Sequence, residues 1–195
     1  LLTKAVDARG TVTNFTNDAG QLRPTSIQEA AGTGVTRTRT IQWHPTLDLP
    51  TRIDVPGLRT EFTYGSTGKL LTRTLTDTTT HSLPYATAGQ TRTESYSWGP
   101  GGRLLSIDGP KAALGTLDDI TSFTYDSAGN LLSMTNGLGQ VTTFADYDAN
   151  GRPGSMTDPN GVETQFAYDA LGRLQSNTVK HPTTPALDAT TSYDY

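Results

Sequence analysis

The feature that most constrains this chain is a short phrase that keeps returning: an aromatic residue, Asp, two variable residues and Gly. Its clearest copies are Tyr125-Asp126-Ser127-Ala128-Gly129, Tyr147-Asp148-Ala149-Asn150-Gly151 and Tyr168-Asp169-Ala170-Leu171-Gly172. A weaker copy runs from Tyr64 through Gly68 to Leu70, and a fainter one from Phe15 to Leu22. At Trp98 the aromatic is Trp, followed by Gly101, Gly102, Arg103 and Leu104. Tyr147 and Tyr168 are 21 residues apart, as are Trp43 and Tyr64, and the two segments superpose without a gap. A fixed period of this length marks a repeat architecture, in which each unit depends on its neighbours for stability.

Each unit carries two turn signals. Asp169 to Gly172 is one, and Asp158-Pro159-Asn160-Gly161 is the other. Asp at the first position, Pro tolerated at the second and Gly at the fourth suit a type I turn. The Gly can take φ > 0 and close a hairpin with a bulge. The Asp side chain can accept hydrogen bonds from turn amides. By superposition, Asp54 and Gly57 are expected to repeat the roles of Asp158 and Gly161. Between turns, polar and apolar residues alternate: Val162, Thr164, Phe166 and Tyr168 share one face, and Glu163, Gln165 and Ala167 the other. Each unit therefore reads as one β-hairpin, and the chain as an all-β strip of repeated antiparallel hairpins over residues 1–195, clearest at 120–179 and degenerate over 1–119. Leu114–Ile120 is the nearest approach to a helix and is too short to form one. Longer intervals place insertions at Thr76–Gln90 and Lys111–Asp119.

One interval is off by a residue. Phe62 and Tyr64 follow Gly57 by five and seven, and Phe166 and Tyr168 keep those offsets from Gly161. Tyr147 follows Gly139 by eight, although Phe144 follows it by five. An odd insertion would turn later side chains to the wrong face unless a β-bulge absorbs it. A bulge is predicted at Ala145–Asp146, with Asp146 released to water.

Composition narrows the function. The net charge is −4 and the 15 Lys and Arg are scattered, so no basic stripe for nucleic acid stands out. Cysteine is absent, which excludes disulfides and thiolate metal sites. No apolar run approaches the ~18–20 residues of a spanning helix. His44, His81 and His181 have no metal-ligand spacing, and His44 falls in the Asp slot of a turn. No nucleotide-binding or nucleophile-elbow motif is present, and Gly65–Gly68 reads as a repeat turn rather than a phosphate cradle. No catalytic, cofactor-binding or metal-binding residue is expected, and the chain reads as a non-enzyme. The residues expected to matter are those of the repeat: Tyr64, Gly68, Trp98, Tyr125, Asp126, Gly129, Tyr147, Asp148, Gly151, Asp158, Gly161, Tyr168, Asp169 and Gly172. The aromatic ladder has two readings, stacking against sugars or packing across neighbouring strands.

These motifs resemble the Rhs/YD-repeat family. The resemblance rests on the three Tyr-Asp copies with their Gly-Asn-Leu or Gly-Arg sequels, on Asp158–Gly161, and on Trp43-His44-Pro45 through Leu49-Pro50-Thr51. It implies a sheet strip that spirals into a hollow shell. In bacterial Rhs proteins and toxin-complex C components such a shell encloses a C-terminal toxin. In the more distantly related teneurins it supports adhesion. By this resemblance the segment is expected to be shell wall, its partners the remainder of the shell, an enclosed toxin and secretion machinery such as type VI secretion. It is expected to leave a bacterial cell in competition or attack, on signals outside this segment. The alternative is an extracellular module binding carbohydrate or a partner surface. The family's self-cleaving plug is not visible. Exposed strand edges are expected to self-associate when isolated.

Overall fold

The computed structural model describes residues 1–20, 23–111 and 119–195. Among the described residues sixteen β-strands follow one another, and within each unit the strands pair antiparallel with their neighbours in sequence. The chain divides into two compact units, Leu1–Tyr96 and Ser97–Tyr195. The helical reading of Leu114–Ile120 falls almost wholly outside the described residues, as do most of the Lys111–Asp119 insertion and Gln21-Leu22. Among the described residues, helical structure is confined to two 3-10 turns, Pro100–Gly102 and Pro185–Leu187.

The first unit holds β1 (Lys4–Val6), β2 (Val12–Asn17), β3 (Pro24–Glu29), β4 (Arg37–Trp43), β5 (Pro50–Val55), β6 (Leu58–Tyr64), β7 (Leu70–Asp77) and most of β8 (Thr91–Trp98). The second holds β9 (Leu104–Asp108), β10 (Thr121–Tyr125), β11 (Leu131–Thr135), β12 (Val141–Ala145), β13 (Ser155–Thr157), β14 (Glu163–Tyr168), β15 (Leu174–Val179) and β16 (Ala189–Ser192). Among the described residues no hydrophobic side chain is fully buried; Ser155, 8 % exposed, is the one buried residue. Neither unit is built around a core. Order comes from strand pairing and from half-buried side chains lying on the sheet, as expected where each repeat leans only on its neighbours.

The predicted turns form at all four sites. Gly129, Gly151, Gly161 and Gly172 take φ of 99°, 75°, 82° and 84°. Each donates its amide to the carbonyl of the Asp three residues earlier, at 2.9–3.1 Å. The alternation holds along most of each strand: Phe62, Tyr64, Thr164, Phe166 and Tyr168 are half-buried, whereas Thr63, Gln165 and Ala167 are exposed; it fails next to the turn, where Val162 is exposed and Glu163 half-buried. On the exposed face hydroxyls pair across strands, as in Thr63–Thr72, Ser97–Ser106 and Thr124–Ser133, each at 2.6 Å.

The bulge forms where the spacing places it. Pairing of β12 ends at Ala145 opposite Ser155. The Gly154 amide then donates to both the Ala145 carbonyl (3.0 Å) and the Asp146 carbonyl (3.1 Å), so two residues oppose one. Asp146 takes φ 57° and is exposed, while Phe144 and Tyr147 are half-buried. Ser155 Oγ donates to Asp146 Oδ2 at 2.7 Å and pins the bulge. A Cβ on Gly154 would lie 2.7 Å from the Asp146 carbonyl oxygen, so this position requires glycine.

Three expectations are corrected. Asp54 does not repeat Asp158. It lies within β5, paired with Thr40 and Arg59, and its carboxylate binds Arg52 (2.6 Å) and Arg59 (3.0 Å). The link there is only Pro56-Gly57, because Val55 already pairs with Leu58. In the first repeat the aromatic slot is held by Asn17, not Phe15: Asn17 faces Pro24 across a register shift, as Tyr64 faces Leu70 and Tyr168 faces Leu174. The Thr76–Gln90 insertion is narrower than its spacing indicates, because Thr76 and Asp77 belong to β7. The loop that follows is tied at its base by the Asp77 amide donating to the Gln90 carbonyl.

Candidate functional site

The residues with repeated geometry form a joint between successive units, built from the turn outwards. In each clear copy the Asp after the aromatic aims one carboxylate oxygen at the turn amides. Asp126 Oδ1 accepts from Gly129 and Asn130, Asp148 Oδ1 from Asn150 and Arg152, and Asp169 Oδ1 from Leu171 and Arg173, all at 2.7–3.0 Å. These bonds favour the ionised form. The Asn130 side chain and amide hold Asp126 below the ordinary carboxylate range; the Arg152 amide does most to lower Asp148, and the Arg173 amide to lower Asp169. Asp158 uses Oδ1 in the same way, on Asn160 and Val162. Where His44 stands in the slot, its Nδ1 accepts from the amides of Thr46 (3.3 Å) and Leu47 (3.1 Å), the turn role expected of it.

The second carboxylate oxygen reaches the residue after the glycine. Arg152 Nε donates to Asp148 Oδ2 and Arg173 Nε to Asp169 Oδ2, both at 2.7 Å. The guanidinium at this position lies over the aromatic ring of the next unit. Arg23 covers Trp43 (5.1 Å to the ring centroid), Arg103 covers Tyr125 (5.9 Å), Arg152 covers Tyr168 (4.8 Å) and Arg173 covers Tyr195 (4.5 Å). Such contacts contribute ~0.5–1 kcal/mol each at exposed sites.

The far end of each ring closes the joint by donating to a carbonyl in the preceding unit. Trp43 Nε1 donates to Pro24 O (2.9 Å), Tyr64 Oη to Pro50 O (2.7 Å), Tyr125 Oη to Leu104 O (2.8 Å), Tyr147 Oη to Leu131 O (2.6 Å), Tyr168 Oη to Pro153 O (3.0 Å) and Tyr195 Oη to Leu174 O (3.0 Å). Asn17, in the aromatic slot, does likewise with Nδ2 on Leu2 O at 3.1 Å. Five of these rows also carry a bulge on the return strand. Thr63 faces Thr72 but Tyr64 faces Leu70, leaving Leu71 as the extra residue; Thr25, Thr51, Leu132 and Gln175 are its counterparts.

The joint answers the question of the ladder. The aromatics are linked through arginines and backbone carbonyls; the one ring–ring contact among the described residues is Phe62 on Tyr64, at 6.5 Å. Arg23, Arg103, Arg152 and Arg173 were missed in the sequence, although the Arg following the turn Gly in three copies was a visible signal. Among the described residues two of these ring joints lack the cation. Asn130 stands in the Arg slot before Tyr147 and binds Asp126 instead, and Leu49 stands there before Tyr64. Among the described residues no group of three or more His, Cys, Asp and Glu is placed to hold a metal. One surface cavity of about 300 Å³ is bordered by Glu29, Arg37, Arg39 and Pro56.

A family description, the RHS repeat, matches residues 125–161 and again 147–184. No curated protein sequence matches the chain. Among solved structures, the chain is similar to the TcdB2–TccC3 complex without its hypervariable C-terminal region, with a TM-score of 0.71 and 18 % identity over 98 % of this chain. It is also similar to the Tc holotoxin pore of Photorhabdus luminescens carrying a TccC3 variant, with a TM-score of 0.70 and 19 % identity. It spans 10 % of the length of each of those chains. At this identity the likeness establishes a shared sheet fold.

Proposed function

We propose that this chain is a member of the RHS/YD-repeat family and a non-catalytic wall segment of a shell that encloses a toxin for delivery out of a bacterial cell. The observation that carries the reading is the inter-repeat joint. An aromatic of one unit donates back to a carbonyl of the unit before, in most cases under an arginine of that unit, and neither unit of the chain has a fully buried hydrophobic residue among the described residues. A sheet held by pairing and joints, rather than by a core, can be extended by further repeats without redesign. It can form a wall only one strand-layer thick. The solved relatives in fold are chains of toxin complexes, about ten times longer, which suits a role as part of a wall. The joint residues spend their polar groups on one another and on backbone carbonyls, which supports a structural role for them.

The test is imaging of the complete gene product by electron cryomicroscopy. The reading expects a hollow particle with these strands in its wall and density for an enclosed polypeptide. A particle that displays these strands as a free-standing module, with a ligand on the aromatic face, would replace it with the binding-module alternative.

A further inference from the structure

The turn between β11 and β12 carries a reactive arrangement that the repeat does not require. The chain has three Asn-Gly pairs: Asn136-Gly137, Asn150-Gly151 and Asn160-Gly161. Such pairs are open to attack by the glycine nitrogen on the asparagine side-chain carbonyl, because no Cβ hinders the nucleophile. In the folded chain the three are not equivalent. Gly151 and Gly161 donate their amides to the Asp148 and Asp158 carbonyls, at 3.0 and 2.9 Å, so each nucleophile is engaged in its turn. Among the described residues no acceptor is found for the Gly137 amide. The electrophile differs as well. Asn136 occupies the Asp slot of its turn, and its Oδ1 accepts from the amides of Leu138 and Gln140, both at 3.0 Å. Those two N–H groups point at the atom that gains negative charge when the carbonyl is attacked, the arrangement of an oxyanion hole. Among the described residues Asn150 and Asn160 have no donor on their side-chain oxygens.

We propose that Asn136 is a self-modifying site that deamidates ahead of the other two through a cyclic imide with Gly137. The Gly137 nitrogen loses its proton and bonds to Asn136 Cγ; the Cγ–Nδ2 bond breaks and the amide leaves as ammonia. Water then opens the ring. Attack at Cγ gives aspartate in the normal chain, and attack at the main-chain carbonyl gives isoaspartate. The net change is one water consumed and one ammonia released. The two products act oppositely on the turn. Aspartate still accepts from the two turn amides, as Asp126, Asp148 and Asp169 do in the same slot, and loses only the 2.8 Å bond from Asn136 Nδ2 to Gln140 Oε1. Isoaspartate adds a methylene to the main chain and breaks the hairpin register that pairs Thr135 with Val141.

The experiment is peptide mapping by mass spectrometry of the folded chain aged in mildly alkaline buffer, beside the same chain aged in denaturant. Folded, Asn136 is expected to gain its one mass unit about tenfold faster than Asn150 or Asn160, a small part of what a buried oxyanion hole supplies. In denaturant the three rates should converge. Equal rates in the folded chain, or a lead for Asn150 or Asn160, would overturn the proposal. Gly137→Ala should slow position 136 alone. If that variant perturbs the turn, the comparison of folded and denatured wild type still decides.

Discussion

Replacing Tyr168 by Phe removes one hydroxyl and leaves the ring, so it isolates the bond that ties the unit to Pro153. That bond is 3.0 Å long and half-buried, and the Arg152 guanidinium remains over the ring at 4.8 Å. A hydrogen bond of this kind contributes ~0.5–1.5 kcal/mol net. Water can reach part of the freed carbonyl, so ~1 kcal/mol is the expected loss. Arg152→Met should cost a similar amount, ~0.5–1 kcal/mol from the ring contact plus up to ~1 kcal/mol from the exposed pair with Asp148. A single global unfolding midpoint is the wrong readout for a repeat array, whose cooperativity is limited. The right one is native-state hydrogen exchange at Phe166, whose amide donates to the Gly154 carbonyl at 2.8 Å beside the affected Pro153. A loss of ~1 kcal/mol corresponds to about fivefold faster exchange there. The first unit should not respond, because stability in such arrays is carried by nearest neighbours. Unchanged exchange at Phe166, or an equal acceleration at β6–β7, would refute the joint as the source of local stability.

Filling the vacant Arg slot with Asn130→Arg should supply a guanidinium for Tyr147 and slow exchange across β11–β13, a gain of ~0.5–1 kcal/mol checked by the same method. Gly172→Ala should destabilise more than Gly161→Ala, both measured by native-state hydrogen exchange in the strands that each turn joins. Each forces an L-residue into left-handed backbone at a cost of ~1–2 kcal/mol, but only at 172 does the new Cβ collide with the Arg152 guanidinium and lift it from Tyr168. Acid should loosen the turns. The carboxyls of Asp126, Asp148 and Asp169 titrate below their ordinary range, and Asp77, bound by the Thr79 and Thr87 hydroxyls, titrates near about 2. Their folded values are depressed, so the stability they give is complete above the unfolded value of ~3.9 and is lost as pH falls through the folded values. Asp148→Asn, which keeps an amide-accepting oxygen, should shrink that acid dependence in a circular-dichroism titration.

What could be read in advance was what lies close in sequence. The turns at Asp126–Gly129 and Asp169–Gly172 are spelled by residues within one turn, and the bulge at Ala145–Asp146 follows from counting between Gly139 and Tyr147. Contacts spanning a whole unit were not legible. Arg152 meets Tyr168 only because the sheet sets successive units side by side, and in the sequence it reads as a solvated charge. Asn17 escaped because a short amide performs the donation an aromatic performs elsewhere, so the chemistry is kept while the letter changes. Asp54 misled for the opposite reason. The letter matched Asp158, but Arg52 and Arg59 claim it for a strand, and Pro56-Gly57 makes the turn alone.

The tyrosine-to-carbonyl bonds have a direction in time. Trp43 reaches back 19 residues to Pro24, Tyr64 back 14 to Pro50, Tyr147 back 16 to Leu131, and Tyr125 and Tyr195 back 21 to Leu104 and Leu174. Where an arginine covers a ring, it also precedes it. On a ribosome, each of these aromatics therefore emerges to find its acceptor already made, and where there is a covering cation, that too. At ~5–20 residues per second a unit of this length appears every ~1–4 s, far longer than the microseconds a hairpin needs to close. The strip can be laid down as it is translated, each finished hairpin serving as the template edge for the next.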